Sequence, residues 1–120
     1  VSITLATNAP DDVLTLSKQD ASVVEFLDNT TALPAKLTFK RTDPKPTSSF
    51  AGVNRHEVKI SQSVLLANST YAIAIVTISS SLPVGMTTAQ RTVFLNRLKD
   101  LGANTQVSNL LTLDTLPYGV

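Results

Sequence analysis

A chain of 120 residues, 42% hydrophobic and 16% charged, has room for one folded domain (residues 1–120) and hardly for two, and its apolar content excludes the disordered class. It contains no cysteine, which excludes a disulfide scaffold and leaves oligomerisation as the supplement to a modest core. The net charge of +1 excludes a uniformly basic nucleic-acid binder, but the charges are unevenly placed: Asp11, Asp12, Asp20, Glu25 and Asp28 stand against Lys18 alone, and then Lys36, Lys40, Arg41, Lys45, Arg55 and Lys59 outnumber Asp43 and Glu57.

The first half reads as strand and turn. Val1 to Leu5 alternates at period two, Asn8 to Asp12 supplies turn chemistry around Pro10, and Val13 to Leu16 returns as the second arm of a hairpin. Ser22 to Leu27 is compatible with a short strand or a turn of helix. Ala35 to Lys40 is a strand with Leu37 and Phe39 on one face and Lys36, Thr38 and Lys40 on the other. The two prolines in Thr42–Ser49 remove backbone donors, so this segment is an exposed loop.

From Arg55 to Leu66 the alternation resumes. His56, Val58, Ile60, Gln62 and Val64 share one side, and Arg55, Glu57, Lys59, Ser61 and Ser63 share the other. After the link Ala67–Thr70, the run Tyr71 to Ile78 is apolar on both faces and reads as a central strand that needs cover on both sides. The period then becomes helical. Thr87 and Gln90 stand at capping-box positions, Val93, Phe94, Leu98 and Leu101 mark an apolar stripe, and Gly102 ends it. A second short helix spans Thr105 to Leu111 or so, before Pro117.

Strands grouped before helices define an α+β class: an N-terminal β-hairpin, an antiparallel β-sheet and two C-terminal α-helices. One helix of this length cannot cover a whole sheet. A homodimer is therefore expected, with helices exchanged across an interface that includes Val93, Phe94, Leu98 and Leu101.

The run Lys40-Arg41-Thr42-Asp43-Pro44-Lys45-Pro46 between two basic-faced strands, the strand Arg55–Leu66 and the opening Thr105-Gln106-Val107 of the last helix resemble the coat proteins of single-stranded RNA bacteriophages, the leviviruses. The resemblance covers the whole chain as a pattern of elements. It implies an intertwined dimer with two sheets joined edge to edge and helices over one face of the joined sheet. It also implies an icosahedral shell built from such dimers, located in the virion and assembled in the host cytoplasm. The other face looks inward to RNA, and some members bind an operator hairpin there and repress translation.

Carried over by position, the RNA-binding candidates are Lys36, Thr38 and Lys40 on one strand, Glu57, Lys59 and Ser61 on the next, and Tyr71. Lysines would neutralise phosphates, hydroxyls would bond bases or riboses, and Tyr71 would offer a stacking surface. For Tyr71 the competing reading is a strand aromatic packed in the core. The chain departs from the family at Ala67–Thr70, which is much shorter than the loop lining symmetry axes in better-known members. Contacts between dimers would then use the Pro44–Ser49 loop or the N-terminal hairpin.

Other features carry less. His56, the only histidine, alternates with apolar neighbours, which favours a packed or hydrogen-bonded role. Asp11 and Asp12 could bind a cation, but Pro10 beside them favours a plain turn. Asn29-Thr30-Thr31 and Asn68-Ser69-Thr70 match a glycosylation pattern short enough to arise by chance. No Gly-rich phosphate loop, nucleophile elbow or His/Cys/Asp cluster is present, so neither an enzyme nor a cofactor is expected. No stretch approaches the roughly 18 apolar residues of a membrane helix, and the start lacks signal-peptide features, so no membrane partner and no export are expected.

Overall fold

The computed structural model describes residues 2–5, 12–28 and 34–117. The chain divides into two compact units, Val1–Val84 and Gly85–Val120. The first holds six strands, β1 (Ser2–Leu5), β2 (Asp12–Gln19), β3 (Val23–Asp28), β4 (Ala35–Thr42), β5 (Val53–Leu65) and β6 (Tyr71–Pro83). They form one antiparallel sheet in the order β1-β2-β3-β4-β5-β6, each strand beside its sequence neighbours.

Register assigns every side chain to a face, because residues directly opposite across a ladder point the same way. Leu16 faces Phe26, Phe26 faces Leu37, Val24 faces Phe39 and Phe39 faces Val58. This core face buries Leu14, Phe26 and Leu37 to 2%, 6% and 3% exposure, with Ile3, Leu16, Val24, Ala35, Phe39 and Val58 packed around them. Phe26 and Phe39 meet edge to face, with centroids 5.9 Å apart at 82°. Each such buried side chain stabilises the fold by about 1.5–3 kcal/mol.

The hairpin expected at the N-terminus is present as β1 paired with β2, while its turn at residues 6–11 lies outside the described residues. The segment left open between strand and helix is strand β3. A bulge separates Leu16 from Lys18 in β2, and the extra residue, Ser17, turns its hydroxyl to the Glu25 carbonyl and carboxylate, both at 3.3 Å.

The long hairpin β5–β6 closes through Leu66–Thr70. The Leu66 amide donates to the Thr70 carbonyl at 2.8 Å, Asn68 Oδ1 accepts from the Thr70 hydroxyl at 2.6 Å, and Ser69 takes a positive φ of 66°. One expectation is corrected. The apolar strand at Tyr71 runs on to Pro83, and within the chain it is the sheet's edge, not a central strand. Apolarity on both faces calls for cover on both faces but does not fix a strand's place in the sheet order. Ile73, Ile75, Val76 and Ile78 are all exposed.

The second unit is two helices, α1 (Thr88–Gly102) and α2 (Thr105–Leu113). The capping box forms as its spacing predicts: Thr87 Oγ1 accepts from the Gln90 amide at 3.2 Å, and Gln90 Oε1 accepts from the Thr87 amide at 3.0 Å. Asn104 caps α2 by accepting from the Gln106 amide at 2.9 Å, and Asp114 in left-handed conformation ends it two residues beyond the expected stop. Neither helix has a buried residue. Val93, Phe94, Leu98 and Leu101 are all exposed, as are Leu110, Leu111 and Leu113.

Candidate nucleic-acid interface

The face opposite the core is built by the same register. Lys36 lies opposite Ser61, Thr38 opposite Lys59 and Lys40 opposite Glu57, so the six candidates on β4 and β5 form three adjacent cross-strand pairs on one surface. The ladder extends that surface in both directions. Thr42 faces Arg55, and on β6 Thr77, Ser79 and Ser81 lie opposite Lys59, Glu57 and Arg55. On β3, Leu27, Glu25 and Val23 lie opposite Lys36, Thr38 and Lys40.

The sheet therefore has a mainly aliphatic and aromatic core face. On the opposite face lysine, arginine and hydroxyl groups cluster on β4, β5 and the Pro83 end of β6, flanked by Val23 and Leu27 on β3 and by Ile73 and Ile75 toward the start of β6. The hydroxyls can donate and accept hydrogen bonds, as phosphate, ribose or base edges require, without adding repulsion between neighbouring cations. Two carboxylates, Glu25 and Glu57, sit among the cations. Glu25 Oε1 lies 3.7 Å from Lys36 Nζ and accepts from Ser17, which makes a short polar chain across three strands. An ion pair this exposed contributes under about 1 kcal/mol, so a phosphate can replace the carboxylate at Lys36. The other salt bridge among the described residues joins Arg41 to Asp43 at 3.8 Å, and neither pair involves Lys40, Lys45, Arg55 or Lys59.

Tyr71 points to the polar face, opposite Leu65, and its 69% exposure excludes the packed-core reading within the chain. It stands apart from the lysines along the strand: it lies six positions from Thr77, opposite Lys59, about 20 Å at strand rise, and four positions from Ile75, in the row of Ser61 and Lys36, about 13 Å. His56 lies on the core face and its Nδ1 shares a 3.0 Å hydrogen bond with Ser80 Oγ, the bonded role its alternation suggests.

The polar face extends beyond the six candidate positions on β4 and β5. Thr77 lies inside the run that reads as apolar on both faces, and Ser79 and Ser81 lie beyond Ile78, where that run ends, although β6 continues through them to Pro83. Arg55 was placed on the correct side but left out of the site, and its pairing with Thr42 is visible only once the register is known. Among the described residues, no three His, Cys, Asp or Glu side chains gather as a metal site requires, and no helix is long and apolar enough to cross a membrane. Asp11, half of the suggested cation pair, lies outside the described residues.

A sheet of this topology, with one core face, one basic hydroxyl face and two helices after it, is the RNA phage coat-protein fold. The chain is similar to one in the virus-like particle of bacteriophage AVE019, with a TM-score of 0.82 and 12% identity over 98% of this chain and 97% of that one. It is also similar to chains in the virus-like particles of Beihai levi-like virus 32, at a TM-score of 0.69 and 18% identity over 94% and 93%, and of Wenzhou levi-like virus 4, at 0.70 and 20% over 87% and 77%. No protein-family profile matches the chain, and no curated protein does.

Proposed function

We propose that this chain is a non-enzymatic coat protein of a small single-stranded RNA bacteriophage, which dimerises, closes into an icosahedral shell and holds RNA on its polar sheet face. The observation that carries this reading is a fold shared almost end to end with chains that build bacteriophage virus-like particles. Residues 1–120 act as one coat-protein domain, assembled in the host cytoplasm and located in the virion.

Two features support the dimer. Strand β6 is 13 residues long, carries no charge and holds no proline before Pro83, the reverse of how proteins blunt an edge that is to stay single. Pairing β6 with β6 of a second copy about a two-fold axis satisfies its free backbone groups and makes it central in one joined sheet. The helices, with no buried residue, then have an apolar surface to cover. Val93, Phe94, Leu98 and Leu101 of one protomer lie on the partner's core face, where Ile60, Val76 and Ile78 are exposed in the single chain.

The polar face is left for RNA. Lys36, Lys40 and Lys59 neutralise phosphates, Thr38, Ser61 and Glu57 bond bases and riboses, and Tyr71 stacks a base at the far end. The same surface would hold an operator hairpin in a dimer that represses translation.

The test is expression of the chain alone in bacteria, followed by size-exclusion chromatography with light scattering and ultraviolet absorbance. Particles of megadalton mass containing RNA are expected. An RNA-bound dimer that never assembles would replace the coat reading with a dimeric RNA-binding regulator.

A further inference from the structure

Two depressions lie at the β4–β5 loop end of the polar face. One, of about 410 Å3, is lined by Lys40, Thr42, Arg55, Glu57 and the serines 79 to 81, with His56 at its wall. The other, of about 330 Å3, is lined by Thr42, Asp43, Lys45, Phe50, Gly52, Val53 and Arg55. Thr42 and Arg55 line both, so the depressions adjoin across that cross-strand pair. Together they join a cation and hydroxyl chamber to one with an aromatic wall.

The aromatic wall is held in place by the loop. Phe50 is 55% exposed, a large apolar side chain left in solvent at the tip of a Pro-rich segment. The Thr47 amide donates to the Phe50 carbonyl at 2.7 Å, closing a turn. Beneath it Gly52 takes a positive φ of 93°, and a Cβ there would meet the Pro44 Cβ at 3.0 Å and the Lys45 amide nitrogen at 3.1 Å. The Gly52 carbonyl in turn accepts from the Val84 amide at 3.1 Å, anchoring the loop after β6. The left-handed Gly52 and the close packing around it fix the path of the loop that carries Phe50, so its exposure is a property of the folded loop.

We propose that Phe50, with Lys45, Arg55 and Lys40, forms a subsite for one unpaired nucleotide of single-stranded RNA, its base stacked on Phe50 and its phosphates held by the three cations. This rests on the RNA-binding reading above. It adds a contact point on the loop, at the end of the face away from Tyr71. An aromatic face beside cations is the arrangement that binds splayed-out bases, because every base has a π-face and every nucleotide a phosphate. Ser79 and Ser81 supply partners for the ribose hydroxyl. Asp43 and Glu57, also in the lining, can accept from an exocyclic amine, and Arg41 balances the Asp43 charge at 3.8 Å. A contact between copies would use Phe50 without needing the three cations around it.

The test measures the unassembled full chain, its state checked by light scattering. One probe is a labelled oligouridylate of about a dozen nucleotides, and the other is an abasic ribose-phosphate strand of equal length. Phe50→Ala is expected to weaken oligouridylate binding about 5- to 140-fold, the range for loss of one stacked base, and to leave the abasic strand unaffected. Phe50→Trp keeps both affinities, and Arg55→Ala weakens both. Equal affinities for Phe50→Ala and the unaltered chain, or equal losses on both strands, overturn the subsite. Loss of particle assembly by Phe50→Ala with RNA affinity intact also overturns it, since the loop then joins copies. Should the unaltered chain bind neither strand, the RNA reading itself falls. If the lysines of β4 and β5 prove necessary and Phe50 does not, only the subsite falls.

Discussion

Replacing Lys36, Lys40 and Lys59 together by alanine isolates the electrostatic role of the polar face. Lys36 and Lys40 lie four residues apart on β4, about 13 Å at strand rise, and Lys59 sits between them on the neighbouring strand, opposite Thr38. Each phosphate neutralised on a single strand contributes about 0.7 to the slope of log affinity against log salt, so three lysines contribute about 2. Between about 50 and 200 mM salt the unaltered chain should lose about 18-fold more affinity than the variant. If Glu25, 3.7 Å from Lys36, keeps that lysine occupied, only two count, and the difference falls to about 7-fold. Fluorescence anisotropy with a labelled single-stranded RNA across that salt range reads the slope, with Lys99→Ala on α1 as control. Parallel salt curves for the variant and the unaltered chain would refute the assignment of this face to RNA.

Three further outcomes follow from the packing. Leu37→Ala truncates one of the three buried core side chains and should cost about 2–5 kcal/mol in chemical denaturation. Phe94→Ala and Leu98→Ala, at exposed positions in the single chain, should shift the dimer toward monomer in sedimentation while the helix content by circular dichroism persists. Unaltered dimerisation would place the stripe elsewhere. Thr87→Ala breaks the capping box and should lower stability by about 0.5–2 kcal/mol, measured as a shift in thermal midpoint, and Thr87→Ser should restore most of it.

What was legible in the sequence is local. The faces of β4 and β5 follow from strict alternation, and the start of α1 follows from Thr87 and Gln90, whose partners lie three residues away. Cross-strand facts were not legible, because register depends on pairing between distant segments. Thus the co-facing of Thr42 with Arg55 and the bulge at Ser17 emerged only from the fold. The place of β6 within the chain was misread because composition reports how apolar a strand's two faces are and not where it stands in the strand order. Phe50 carried no periodic signal at all, since it lies in a loop whose shape is set by Pro44 and Gly52.

The most direct test of the coat-protein account is electron cryomicroscopy of the material formed when the chain is expressed alone. The account predicts closed icosahedral shells of two-fold dimers, with β6 paired to β6, helices outside, and Lys36, Lys40 and Lys59 facing internal RNA density. Shells with the helices inward and the lysine face in solvent, or no closed particles at all, would contradict it.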